Sequence, residues 1–358
     1  MVVLLVLGLW PVACDEPLPD RRSPAAPQSA PRPRAVPATS APDLRDLPTG
    51  DRAVPSDQAD RLVRAGETKV ELLSAGEPPR RLLRYDATQP EQGRLVVTAE
   101  IAMAVQQEGE PAVEPPVPRL RVTVDVRVSG AAGQAATVSL TLREAAVAPA
   151  DQAQPPAVAD LEPVLAALTG LESQFPLPPR GLGVGPLQQS RRTAPAVLQL
   201  WTTVAEALRD LVTPYPEVEV GVGARWRAFD RVTRGGIEML RRTTYRVAAL
   251  DAGAVTLAGE IREVAVASTG RFDPALPPDH VIAVRRGDGT GSRAVVRPLG
   301  RLLPTDSESK LMGQVTLDTR PAPAIAPTAV SRRSSVRLEQ RLRVAPPRGT
   351  SPQKAARR

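Results

Sequence analysis

The chain has 358 residues, a net charge of +7 and 42% hydrophobic residues, enough for one large domain or two moderate ones. One cysteine excludes a disulfide framework and a cysteine-built zinc site, and one histidine, His280, argues against a histidine-based triad. Aromatic residues are only 3% of the chain and its arginines are scattered, so platforms for stacking nucleobases are missing. No cofactor, metal or nucleic-acid partner is expected, and the basic charge reads as compositional bias.

Met1 to Trp10 reads MVVLLVLGLW. A bilayer span needs about 20 apolar residues, so this run has only the length of a signal-peptide core. It is followed by Pro11-Val12-Ala13-Cys14, which resembles the lipobox of bacterial lipoproteins, with Pro11 where Leu or Val is usual. That resemblance implies a signal peptide over residues 1–14. The Cys14 thiol would take a diacylglycerol and become the first mature residue, anchoring the protein in a membrane. The alternative is an ordinary secretory signal with a chance cysteine. A lipoprotein facing the periplasm is expected, with the outer membrane slightly preferred to the inner.

From Asp15 the chain is dense in Pro, Ala, Ser and Arg and shows no apolar period. Such composition cannot repay its ordering entropy, so residues 15–65 are expected to form a disordered tether. Residues 346–358 are expected to be a second, basic disordered tail. The body is expected over residues 66–345.

Strand patterning begins near Thr68. Leu95, Val97, Ala99, Ile101, Met103 and Val105 alternate with more polar neighbours; Leu120 to Val128 and Ala136 to Leu142 repeat the pattern. Period-two alternation of this length predicts half-buried antiparallel strands. Two helices follow. One carries Leu161, Val164, Leu165 and Leu168 behind an Asp160 cap. The other carries Val197, Trp201, Val204, Ala205 and Leu208 behind a Thr193 cap, each with a proline in its first turn. Between them, Phe175 to Gly185 reads as one irregular strand.

A second strand block opens at Val220-Gly221-Val222-Gly223 and Trp226. Ile237, Met239, Thr243, Tyr245 and Val247 share a face, and Val255, Leu257 and Ile261 return after a turn at Gly253. Weaker strands are expected at Val281–Val284, Arg293–Arg297, Leu311–Leu317 and Val336–Val344. The order strands, helices, strands predicts an α+β fold: a large curved antiparallel sheet with two helices on one face.

No motif carries chemistry. Gly181 to Gly185 and Gly221 to Gly223 lack the strand-before, helix-after setting of a phosphate loop and read as turns. Gly287-Asp288-Gly289-Thr290-Gly291 reads as a hairpin tip, because it lacks the carboxylates that calcium needs. His280 reads as a surface histidine. Ser307-Glu308-Ser309-Lys310 reads as a polar connection, whereas a Ser-x-x-Lys nucleophile opens a helix.

Pro216, Val220-Gly221-Val222-Gly223, Trp226, Thr243-Thr244-Tyr245 and Gly253 together resemble an uncharacterised family of exported bacterial proteins, many of them lipoproteins, over about residues 68 to 344. The resemblance implies a shared body but no activity. The expected function is non-catalytic: binding of an apolar or lipid-like ligand between sheet and helices, in an arrangement similar to periplasmic lipoprotein carriers. Trp201, Val204, Leu208, Met103, Met239 and Tyr245 are the expected cavity lining. The alternative is a structural or protein-interaction lipoprotein of the envelope with no small ligand.

Overall fold

Alternation in the sequence becomes alternation across one sheet. The structure is a computed structural model that describes residues 47, 51–88, 90–131, 134–148, 161–185, 187–189, 194–270, 280–321 and 331–347. Helix α1 (Ser56–Leu62) precedes strands β1 (Thr68–Ser74), β2 (Glu91–Gln107), β3 (Leu120–Ser129) and β4 (Ala136–Val147). Helix α2 (Glu162–Leu168), β5 (Glu172–Leu177), β6 (Gln188–Gln189) and helix α3 (Pro195–Arg209) form the middle. Then come β7 (Arg225–Arg234), β8 (Ile237–Leu250), β9 (Ala254–Ala265), β10 (Thr269–Gly270), β11 (His280–Pro298), β12 (Asp306–Pro321) and β13 (Arg332–Ala345).

These strands form one open antiparallel sheet in the order β1-β7-β8-β9-β11-β12-β13-β2-β3-β4-β5-β6, with β10 attached to β11. The two strand blocks are joined where β13 pairs with β2, with Val336 opposite Val105 and Leu342 opposite Ala99. The β2 face that carries Leu95, Val97, Met103 and Val105 therefore continues directly into β13.

The sheet is strongly curved. Eight strand steps separate β8 from β5, or about 38 Å at the usual strand spacing. Yet residues of β4, β5, β7, β8 and β9 meet α2 and α3 in one core, which includes Val138, Phe175, Trp201, Trp226, Val247 and Leu257. Only a sheet curled around the helices can do this. Bulges between Thr123 and Val124, Val247 and Ala249, and Val284 and Arg286 supply local bends.

Helices α2 and α3 begin where expected, each with proline in its first turn, whose missing N–H costs no helical hydrogen bond. Their cap positions are Leu161 and Ala194, without side-chain capping bonds. Asp160 and Thr193 lie outside the described residues, as do Cys14, the expected signal peptide and most of the expected tether and tail.

The described part of the expected tether corrects its boundary. Leu47, Val54, Ala59 and Leu62 are buried in a separate cluster with Leu240, Val264 and Val266. Leu240 and Val264 are cross-strand partners on the face opposite Met239 and Ala265, so α1 covers the outer side of the sheet. Thus a third helix joins the expected two, and chain assigned to the tether packs against the body. The segment escaped notice because seven helical residues with two buried positions leave little periodicity.

Three further expectations change. Val281–Val284 and Arg293–Arg297 belong to one 19-residue strand, β11. The Gly287–Gly291 run is its centre rather than a hairpin tip, held by ladders to β9 and β12 on either side. Ser307 to Lys310 likewise lie within β12. The segment Phe175 to Gly185 contains the end of a short alternating strand, β5, before a turn.

Candidate functional site

Helix α3 has two working faces. Val197, Leu200, Trp201, Val204, Ala205 and Leu208 are buried in the main core. Trp201 Nε1 donates to Ser173 Oγ at 2.7 Å, which ties the helix to β5. At the other end, β11 holds the helix terminus: Arg293 Nη1 donates to the Asp210 carbonyl at 2.5 Å and Arg297 Nη2 to the Leu211 carbonyl at 2.5 Å. Cations at a helix C-terminus oppose its partial negative charge.

So fixed, α3 turns Leu198, Thr202, Thr203, Glu206 and Ala207 toward the central strands, and a cavity of ≈ 480 Å³ lies between them. This volume falls within the usual range for a small-molecule site. The opposite wall is largely aliphatic, with Ile101, Met239, Leu311, Val315, Leu338 and Leu342 among its residues.

Glycine makes the space. In the cross-strand register, Glu263 on β9 is followed by Gly289 on β11, Gly313 on β12 and Leu338 on β13. The neighbouring row runs Ile261, Gly291, Leu311, Gln340 and Ile101. Where α3 faces this part of the sheet, side chains that would fill the gap are absent. A Cβ added at Gly289 would meet nothing nearer than the Met312 carbonyl oxygen at 3.5 Å, whereas one at Gly291 would lie 2.2 Å from the Lys310 carbonyl oxygen. Gly291 is needed for strand approach; Gly289 is needed only to leave room.

A buried ion cluster borders the cavity. Arg234 Nη2 lies 2.9 Å from Asp210 and 3.0 Å from Glu263, and Arg241 contacts Asp210 at 3.0 Å and Asp230 at 2.5 Å. Burial opposes ionisation of Asp210, but Arg241, Arg234 and Arg293 outweigh it and hold its carboxyl well below the ordinary range. Burial likewise opposes the charge on Arg234, which Glu263 and Asp210 restore and strengthen. Asp210, Asp230 and Glu263 thus stand against Arg234, Arg241 and Arg293, a balanced set.

Glu206 stands apart from this balance. It lines the cavity, and among the described residues its side chain has no hydrogen bond or close ion pair. Burial pushes its carboxyl pKa up; Arg209 and Arg234 offset this in part, and Asp210 adds to the rise.

Of the six residues expected to line a ligand cavity, Met239 does so. Trp201, Val204 and Leu208 lie on the other face of α3, inside the main core. Tyr245 stacks on Trp226 with ring centroids 5.4 Å apart. Met103 packs with Val105 and Val336, and only Val336 of these reaches the cavity. The face of α3 that carries Trp201, Val204 and Leu208 packs into the main core, and the opposite face lines the cavity.

Gly289, Gly313, Glu206 and the Arg234–Glu263 pair were missed. A signal for the glycines does exist: positions 287, 289 and 291 repeat at the strand period, which places all three on one face. His280 is half-buried at the start of β11, opposite Pro321, away from the cavity lining. Among the described residues no group of three or more His, Cys, Asp and Glu is placed to hold a metal ion.

No protein-family model matches the chain, and no curated protein matches it.

Proposed function

We propose that this protein is a non-catalytic binding protein of the cell envelope that carries an apolar or lipid-like ligand between α3 and the sheet, anchored through an acylated Cys14. The observation that carries the reading is the aliphatic cavity of ≈ 480 Å³, floored by Gly289 and Gly313. Interiors are normally packed as densely as organic crystals, so a gap of this size is unusual for a purely structural core. Its lining suits a chain of methylene groups, each worth about 0.8 kcal/mol when removed from water.

Native mass spectrometry of the purified protein tests the cavity. Co-purified lipid, absent from a Gly289→Leu variant that melts normally, is the expected result. Neither lipid nor uptake of added dodecanol by the parent chain would count decisively against it. Mass spectrometry of the mature N-terminus tests the anchor, and an unacylated terminus overturns that part.

A second reading is an interaction protein without a small ligand. It is favoured by Leu72 and Leu73 on edge strand β1 and by Leu82, Val218 and Val222 on the segments beside it, all of them exposed. Hydrogen bonds from Arg81 to Val220 and from Gly221 to Ala75 hold those segments together. An empty cavity together with a stable protein complex in the native spectrum would select this reading.

A further inference from the structure

We infer that the cavity ligand is a single-chain amphiphile with a cationic amine head, and that Glu206 is the residue that receives it. This inference rests on the proposed binding role of the cavity and deepens it by naming the ligand class.

The argument is one of charge balance. Beside the cavity, three carboxylates and three guanidinium groups neutralise one another within the Asp210 cluster. Asp288 also borders the cavity, but it pairs with Arg286 at 3.4 Å, with both side chains substantially exposed. Glu206 is left over. It is a half-buried carboxylate on a wall whose other side is aliphatic; Arg209 and Arg234 attract it, but neither forms a hydrogen bond or close ion pair with it among the described residues. A partly desolvated carboxylate without a partner is costly unless something supplies one. An ammonium group would do so, forming charge-assisted hydrogen bonds with Glu206 while its alkyl chain lies along Leu311, Leu338 and Leu342.

An anionic head has no such place. Every arginine of the cluster already faces a carboxylate or a helix-end carbonyl, so a fatty acid would set its charge beside Glu206 and Glu263. The preference for an amine runs against the whole-protein charge of +7, which by itself would attract anions. Bulk electrostatics and the local site therefore make opposite forecasts.

Calorimetric titration of the protein at pH 7 with dodecylamine, dodecanol and dodecanoate, each below its micellar concentration, separates them. Dodecylamine should bind at least about tenfold more tightly than either of the others, a difference of about 1.4 kcal/mol. Glu206→Gln should abolish that preference while leaving dodecanol binding in place and a single cooperative melting transition, at a temperature no lower than that of the parent. Asp288→Asn, which makes the same change in net charge, should leave the preference in place. Dodecanoate binding as tightly as dodecylamine, or equal loss in the Glu206 and Asp288 variants, overturns the head-group assignment and leaves the cavity reading standing. Failure of all three probes to bind overturns both.

Discussion

Arg297 on β11 reaches the carbonyl of Leu211, 86 residues earlier in the chain, through its Nη2 at 2.5 Å. Its Nη1 donates to the Tyr85 hydroxyl at 2.6 Å, and its guanidinium carbon sits 5.6 Å from the centre of the Tyr85 ring. The side chain is fully buried and bonds no carboxylate among the described residues. Its charge is met by carbonyl oxygen at the end of α3, by hydroxyls and by an aromatic face. This contact and that of Arg293 fix how far α3 stands from the sheet, and so fix the cavity.

Arg297→Lys should therefore destabilise the protein although charge is kept. A single ammonium cannot reproduce the fork that spans Tyr85 and Leu211. We expect a loss of about 1–3 kcal/mol, the cost of leaving a buried polar group unpaired. Urea denaturation checks this, and an unchanged midpoint would show that the fork is dispensable.

Asp210→Asn should cost about 3–5 kcal/mol at neutral pH, because Arg241 and Arg234 lose a shared buried counter-charge. The carboxyl of Asp210 is held below its ordinary pKa of 3.8 when folded. Its stabilising contribution is thus complete above the unfolded-state value and is lost as pH falls through the folded one. Thermal melts from pH 7 to pH 2 should show a steep fall below about pH 4 in the parent chain and a shallower one in the variant.

Glu206 works in the opposite sense. Its folded-state pKa is raised by burial, so the folded protein binds a proton more readily than the unfolded chain. Stability declines as pH rises from the unfolded-state value, about 4.3, through the folded one, and stays lowered above it. Glu206→Gln should raise the melting temperature of the ligand-free protein at pH 7. The gain should vanish below about pH 4, where both states of the parent are protonated.

The glycines of β11 should separate cleanly. Gly289→Ala meets only ordinary contacts and gains strand propensity, so its melting temperature should match or exceed that of the parent. In Gly291→Ala the new methyl would collide with the Lys310 carbonyl, and a loss of more than about 1 kcal/mol is expected. Equal behaviour of the two in a thermal melt would contradict the register of β11 against β12.

Removing residues 47–63 should destabilise the body. Leu47, Val54 and Leu62 are buried on Leu240, Val264 and Val266, and burying each such side chain is worth about 1.5–3 kcal/mol. A drop in midpoint of several kcal/mol by chemical denaturation is expected. No change would return this segment to the role of a loose tether.

The strands were legible wherever one side chain in two is buried. Leu120, Val122, Val124, Val126 and Val128 are all buried, and their alternation alone marks β3. Helix α3 was legible for the same reason at helical spacing. The two ends of β11 were legible as short strands but its centre was not, since Gly-Asp-Gly-Thr-Gly carries no apolar alternation and its order comes from the ladders on both sides. The ion cluster was equally hidden, because its members lie between Asp210 and Arg293 in a chain where arginine is everywhere.

Local spacing alone settled the class of the fold, the faces of its long strands and the inward face of α3, because burial on one side imposes a period that can be read residue by residue. The cavity was decided only in three dimensions. It depends on Gly289 facing Gly313 and on Arg293 and Arg297 holding the end of α3. It depends also on a sheet curled so far that one helix serves both strand blocks. A missing side chain leaves no mark in a sequence until the partners that would have surrounded it are known.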